Sequence, residues 1–148
     1  MVGQLFCSLG KLFGGCTENM NVIQPVKKID KFTASSILLD KLDEMHDTEA
    51  AIYLPDENVK VYNKDDVAKC HELKEVSILK FVAEDRDCDD FSAKLFGEFA
   101  GLVWTNLHAL NWFIDEDLTF WWIEPQSGKL SQTLDTWQGN NIRFFVGR

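Results

Sequence analysis

A chain of 148 residues is long enough for one domain that buries roughly two-thirds of the surface its unfolded form exposes. Its 45% hydrophobic and 26% charged content is that of a folded globular protein, which excludes whole-chain disorder and collagen-like repeats. Fifteen Lys+Arg against 24 Asp+Glu leave a formal charge of −9; this disfavours nucleic-acid partners, whose phosphates need basic contacts. No apolar run approaches the ~20 residues of a membrane span, so no membrane partner is expected.

Cys7, Cys16, Cys70 and Cys88 stand at irregular intervals without a C-x-x-C pair, the pattern of neither a zinc framework nor a disulfide scaffold. Reduced thiols in a cytoplasmic compartment are the simplest account. His46, His71 and His108 form no H-E-x-x-H. At the N-terminus, Leu5, Phe6, Leu9, Leu12 and Phe13 recur at helix-like spacing among glycines. A secretory signal would carry basic charge ahead of this stretch, whereas Lys11 lies inside it, so no signal peptide is expected.

In chain order, residues 1–30 read as an apolar arm followed by a polar connection (Thr17 to Lys31, with Pro25), and residues 31–148 as a single α+β domain. Ser35 or Ser36 can cap a helix whose stripe is Ile37, Leu38, Leu42 and Met45. Ala51–Leu54 and Val59–Tyr62 read as short strands around a Pro55-Asp56 turn, Lys64–Leu73 as a second helix, and Ser77–Ala83 as a strand. Asp87 is an N-cap for a helix in which Phe91, Leu95 and Phe99 form the buried stripe and Gly101 the stop. The tryptophans (Trp104, Trp112, Trp121, Trp122 and Trp137) all fall in the C-terminal third. There, Leu102–Ile114 and Thr119–Glu124 read as two aromatic strands joined through Asp115-Glu116-Asp117, and Asn141–Val146 as a closing strand. The expected architecture is N-terminal helices and a catalytic-type helix packed on an antiparallel sheet.

Three residues can meet in that arrangement. Cys88 opens its helix, where unpaired N–H groups and the positive dipole end favour a thiolate. A helix from Cys88 to Phe99 is about 18 Å long and a strand from Leu102 to His108 about 20 Å, so an antiparallel return brings His108 back to the level of Cys88. A three-residue hairpin loop gives paired positions a sum near 232 or 234, which puts Glu124 opposite or diagonal to His108 on one face. A two- or four-residue loop would move Glu124 to the other face. A carboxylate that orients an imidazole, which takes a thiol proton, is the arrangement of nucleophilic catalysis.

Several ordered blocks carry a family resemblance: Val82-Ala83-Glu84-Asp85-Arg86-Asp87-Cys88-Asp89-Asp90-Phe91, Val103-Trp104-Thr105-Asn106-Leu107-His108-Ala109-Leu110-Asn111, Phe113-Ile114-Asp115-Glu116-Asp117, Ile123-Glu124-Pro125-Gln126 and Trp137-Gln138-Gly139. Together they resemble small phage and bacterial proteins labelled as relatives of the fungal agglutinin MOA. The resemblance to the phage group covers roughly residues 30–148, and that to the agglutinin's C-terminal papain-like protease domain mainly residues 82–126. It implies a papain-like fold and a cysteine hydrolase acting on a peptide or isopeptide bond of a peptide or protein substrate, within a host cytoplasm if phage-encoded. It makes Cys88 the nucleophile, His108 the base and Glu124 the orienting acid, with Trp104 and Gln126 in the substrate and oxyanion neighbourhood. No cofactor is required for that chemistry; the resemblance implies calcium, for which Asp87, Asp89, Asp90, Asp115 and Asp117 are available.

Two departures stand out: the link between the cysteine helix and the histidine strand is short (Gly97 to Gly101), and Leu118 occupies a hairpin position where relatives place Gly. The positions before the nucleophile, Lys80-Phe81-Val82-Ala83, carry no papain-like oxyanion glutamine. Two other functions compete. Asp87-Cys88 opening a helix is also similar to the NlpC/P60 peptidoglycan endopeptidases. A non-enzymatic acidic protein that binds a host or virion protein through its aromatic surplus is the alternative from a different class.

Overall fold

The computed structural model describes residues 22–148, so the N-terminal arm, Cys7 and Cys16 lie outside the described residues. Helices lie against both faces of a six-stranded sheet, the α+β arrangement expected. Strand β1 (Lys27–Asp30) leads into helix α1 (Lys31–Glu44), followed by β2 (Ala51–Tyr53), β3 (Asn58–Val61), α2 (Lys64–Lys69) and α3 (His71–Ser77). Helix α4 (Cys88–Glu98) then precedes β4 (Gly101–Thr105), β5 (Ala109–Ile114), β6 (Phe120–Glu124) and β7 (Lys129–Ser131). A 3₁₀ turn (Thr136–Gln138) and β8 (Ile142–Val146) close the chain. The large sheet runs β2-β8-β4-β5-β6-β7, and β1 pairs with β3 in a small sheet of its own.

The centre of the molecule is β5, every residue of which is buried. One face of it, Leu110, Trp112 and Ile114, packs with Phe120 and Trp122 of β6 under Ala34, Leu38 and Leu42 of α1. The other face sends Phe113 into a second core with Ile123, α2, α3 and the Phe91–Leu95 stripe of α4. Two-sided burial makes a strand nearly continuous in apolar residues rather than alternating. Asn111 is the polar exception. Its amide donates to the carbonyls of Ser92 (2.9 Å) and Gly101 (3.0 Å), tying α4 to the sheet.

Several expectations are corrected. The expected polar connection contains β1, so the folded part begins before residue 31. The cap of α1 is Asp30, whose carboxylate accepts from the N–H groups of Phe32 and Thr33 (3.0 Å each); Ser35 and Ser36 lie inside the helix. β2 and β3 are not partners: β2 runs parallel to β8, which makes the sheet mixed, and β3 pairs with β1. Such long-range pairings leave no local signature. Lys64–Leu73 is broken at Cys70, whose extended backbone ends α2 and begins α3. Ser77–Ala83 is no strand: α3 ends at Ser77, Ile78 and Phe81 are exposed, and Glu84 turns the chain with a left-handed backbone. Its β-branched content finds no sheet edge, and strand propensity needs one.

Leu102–Ile114 is likewise two strands, reversed at Asn106-Leu107 and paired from Gly101↔Trp112 to Trp104↔Ala109. Gly101 does not stop a helix; it opens β4 where the Trp112 indole lies directly over its Cα. Among the described residues no helix is long and apolar enough to cross a membrane. A Cβ at Gly101 would overlap the Trp112 ring, so Gly101→Ala is expected to lower stability by about 1–3 kcal/mol, read as a fall in the urea midpoint at unchanged slope.

Candidate functional site

Four local features bring the site together. Asp87 caps α4, with its backbone N–H donating to Asp90 Oδ2 (3.2 Å), so that Cys88 becomes the first helical residue and is half-buried. Asn106-Leu107 reverses the chain, held by the Thr105 hydroxyl oxygen, which accepts from the N–H groups of Leu107 (3.1 Å) and His108 (2.9 Å). The β5–β6 hairpin pairs Ile114 with Phe120 and Asn111 with Ile123, a sum of 234 at each pair. Its three-residue loop closes through Leu118 at φ 63°, the left-handed position that such loops demand. Glu124 therefore lies diagonal to His108, within reach of it.

The His108 ring and the Glu124 carboxylate are both buried and meet at 2.9 Å, Nε2 to Oε2. With Nε2–H directed at the carboxylate, Nδ1 is the basic nitrogen of the ring. Glu124 has two further donors: the Gln138 side-chain amide on Oε2 (2.8 Å) and the Gln126 backbone N–H on Oε1 (3.3 Å). Trp137 sets its ring edge-on to the imidazole, centroids 4.9 Å apart. Gly139, at φ 90°, passes so close to Thr105 and Asn106 that no side chain fits there.

Cys88 and His108 line the same cleft of about 240 Å³, with Trp104, Leu107 and Arg143 on its walls and Asp87 and Asp89 beside the thiol. Trp104 Nε1 is buried without a hydrogen-bond partner. Gln126, expected in the same neighbourhood, reaches Glu124 through its backbone and is not among the cleft-lining residues. Gln138 and Arg143 were not singled out as site residues from sequence. The Trp137-Gln138-Gly139 block was the available signal for the first; nothing local marked the second.

Four of the five acidic residues considered for calcium separate into two groups. Asp115 is fully engaged, accepting from the N–H groups of Asp117 (3.0 Å) and Thr119 (2.9 Å) and from Trp121 Nε1 (2.7 Å), and Asp90 serves the helix cap. Asp87 and Asp89 offer oxygens within 4.8 Å of each other and of Cys88 Sγ, and Asp87 Oδ1 is buried without a partner. Two convergent carboxylates suit a hard cation, while the sulfur does not. A hydrogen bond to Asp87, and secondarily burial, raises the Asp89 carboxyl above the usual carboxylate range.

No protein-family model matches the sequence, and no curated protein matches it. Among the solved structures that are similar are two of a fungal lectin. PSL1a in complex with E64 superposes with a TM-score of 0.65 at 21% identity over 80% of this chain and 50% of that one. Polyporus squamosus lectin bound to the human-type influenza-binding epitope Neu5Aca2-6Galb1-4GlcNAc superposes with a TM-score of 0.60 at 20% identity, over 80% and 49%. The fold is that of the matched half of this lectin. The chain spans about half the length of these lectin structures. At such identities the likeness is one of fold.

Two outcomes follow from the geometry. Gln138→Ala leaves the buried Glu124 Oε2 with His108 as its sole side-chain donor, and is expected to lower stability by about 1–3 kcal/mol in urea titration. The other described cysteine, Cys70, is a contrast: burial, with a smaller contribution from Glu72, pushes its thiol up to about 11. The folded state thus holds this proton more tightly than the unfolded chain. The associated stability is fully present below the ordinary thiol range and is lost as pH rises toward about 11. Cys70 should accordingly resist iodoacetamide at about pH 8.5, where a free thiol is half ionised.

Proposed function

We propose that the protein is a cysteine hydrolase that cleaves a peptide or isopeptide bond by acyl transfer at Cys88. The single observation that carries this reading is the buried His108–Glu124 pair, 2.9 Å apart, opening on the cleft that Cys88 shares. The E64 complex of a fold neighbour supports it in kind, since E64 is an epoxide that alkylates reactive thiols.

His108 Nδ1 takes the Cys88 proton, and the Glu124 carboxylate stabilises the imidazolium so formed. The thiolate adds to the scissile carbonyl. His108 then returns the proton to the departing amine as the thioester forms, and water attacks that thioester with His108 again acting as base. The glutamine of papain-like oxyanion sites has no counterpart here. The Cys88 backbone N–H at the start of α4 is the donor that supports an oxyanion instead. Asp87 and Asp89 would hold a calcium ion, which when bound supplies positive charge that offsets two carboxylates otherwise opposing a thiolate.

Labelling of the four cysteines by iodoacetamide at about pH 6.5, read residue by residue by mass spectrometry, tests the reading. Cys88 is expected to react at least about tenfold faster than Cys70 and to lose about tenfold in His108→Ala, with Glu124→Gln in between. E64 should form an adduct on Cys88 in the wild type alone. Slow labelling of Cys88 that His108→Ala leaves unchanged, with or without calcium, makes the cysteine structural and returns the protein to the non-enzymatic binding class.

A further inference from the structure

Resting on the hydrolase reading, we propose that Arg143 is the specificity-determining residue of the cleft and selects substrates that present a carboxylate beside the bond attacked by Cys88. Arg143 lines the cleft together with Cys88 and His108. The backbone aims it there. The β4–β8 register slips between Trp104↔Phe144 and Thr105↔Ile142, which leaves Arg143 as the extra, unpaired residue of a bulge. Bulges beside sites serve to re-aim a side chain. Ile142 before it and Phe145 after it both face the core under α1, and Phe144 packs against Trp104 on the other side, so the bulged residue alone is turned out to solvent.

The base under the arginine is rigid. β8 is paired on both sides, by β2 and β4, and the buried Asp47 carboxylate accepts from the Ile142 N–H at its first residue. The head is unspent. Among the described residues Arg143 makes no ion pair, although Asp87 and Asp89 line the same cleft. A guanidinium held on a fixed strand and left unpaired presents a planar fork to a carboxylate. The carboxylates near the thiol, Asp87 and Asp89, repel an anion at contact range, and the −9 of the whole chain does so at longer range. A carboxylate-bearing substrate is therefore favoured on the Arg143 side of the cleft, away from Asp87 and Asp89.

Iodoacetate and iodoacetamide, nearly equal in size and different in charge, read this directly. Their rate constants at Cys88 are measured on the full chain at neutral pH with a chelator present. The iodoacetate-to-iodoacetamide ratio is expected to fall about fivefold in Arg143→Gln at low ionic strength, and the difference to shrink as salt is added. Equal ratios in wild type and variant overturn the proposal. A second measurement needs no variant: succinate should protect wild-type Cys88 from iodoacetamide and neutral succinamide should not, and equal protection by the two also overturns it. The hydrolase reading fails on a different readout, an iodoacetamide rate indifferent to His108→Ala, so the two failures are distinguishable.

Discussion

The site depends above all on the register of one hairpin. Side chains alternate across a strand, so a slip of one residue between β5 and β6 would turn Glu124 to the opposite face of the sheet and leave His108 without its carboxylate. Asp115 guards against that slip. Its buried carboxylate gathers two loop N–H groups and the Trp121 indole, closing the turn at three residues. Leu118 completes the turn with a left-handed backbone that its branched side chain adopts at a cost of about 1–2 kcal/mol. The two-sided burial of β5 makes the register doubly determined, since moving Trp112 to the α4 face would empty one core and overfill the other.

From that register the rest of the arrangement follows. With β5 fixed, Asn111 fixes α4 through Ser92, and α4 sets the height of Cys88. The Thr105 hydroxyl fixes the turn that ends in His108, and Gly139 lets the Trp137-Gln138 segment close over the pair. Gln138 serves three partners at once: its amide holds Glu124, its side-chain oxygen accepts from the Asp135 N–H, and its backbone carbonyl accepts from the Thr105 hydroxyl. The imidazole and its carboxylate thus sit in a frame whose members all trace back to adjacent strands.

What could be read in the sequence was what local rules govern. The Asp87 cap, the Phe91–Leu95 stripe and the three-residue loop at Glu116 each rest on contacts between near neighbours, and together they were sufficient to bring Cys88, His108 and Glu124 toward one place. What could not be read was set from a distance. β2 joins β8 across some ninety residues, as does Asp47 with the Ile142 N–H, and neither partner carries a signal of the other. Ser77–Ala83 has the composition of a strand and no edge to join. The bulge at Arg143 is a mismatch between the β4 and β8 registers that no window of either strand reveals.

The electrostatics of the cleft then set the terms on which it can work. A helix start favours a thiolate, but the carboxylates that favour the same helix start oppose it, and here two of them lie within 4.8 Å of the sulfur. Their capping role and their repulsion come from one charge and cannot be tuned apart. In the proposed hydrolase something positive must offset them: an imidazolium stabilised by Glu124, a cation between Asp87 and Asp89, or the Arg143 guanidinium in the same cleft. The first acts on the proton, the second on the carboxylates and the third on whatever anion enters. Because Arg143 stands on a separate strand, the proposed selection of substrate charge leaves undisturbed the cap that makes Cys88 a helix start.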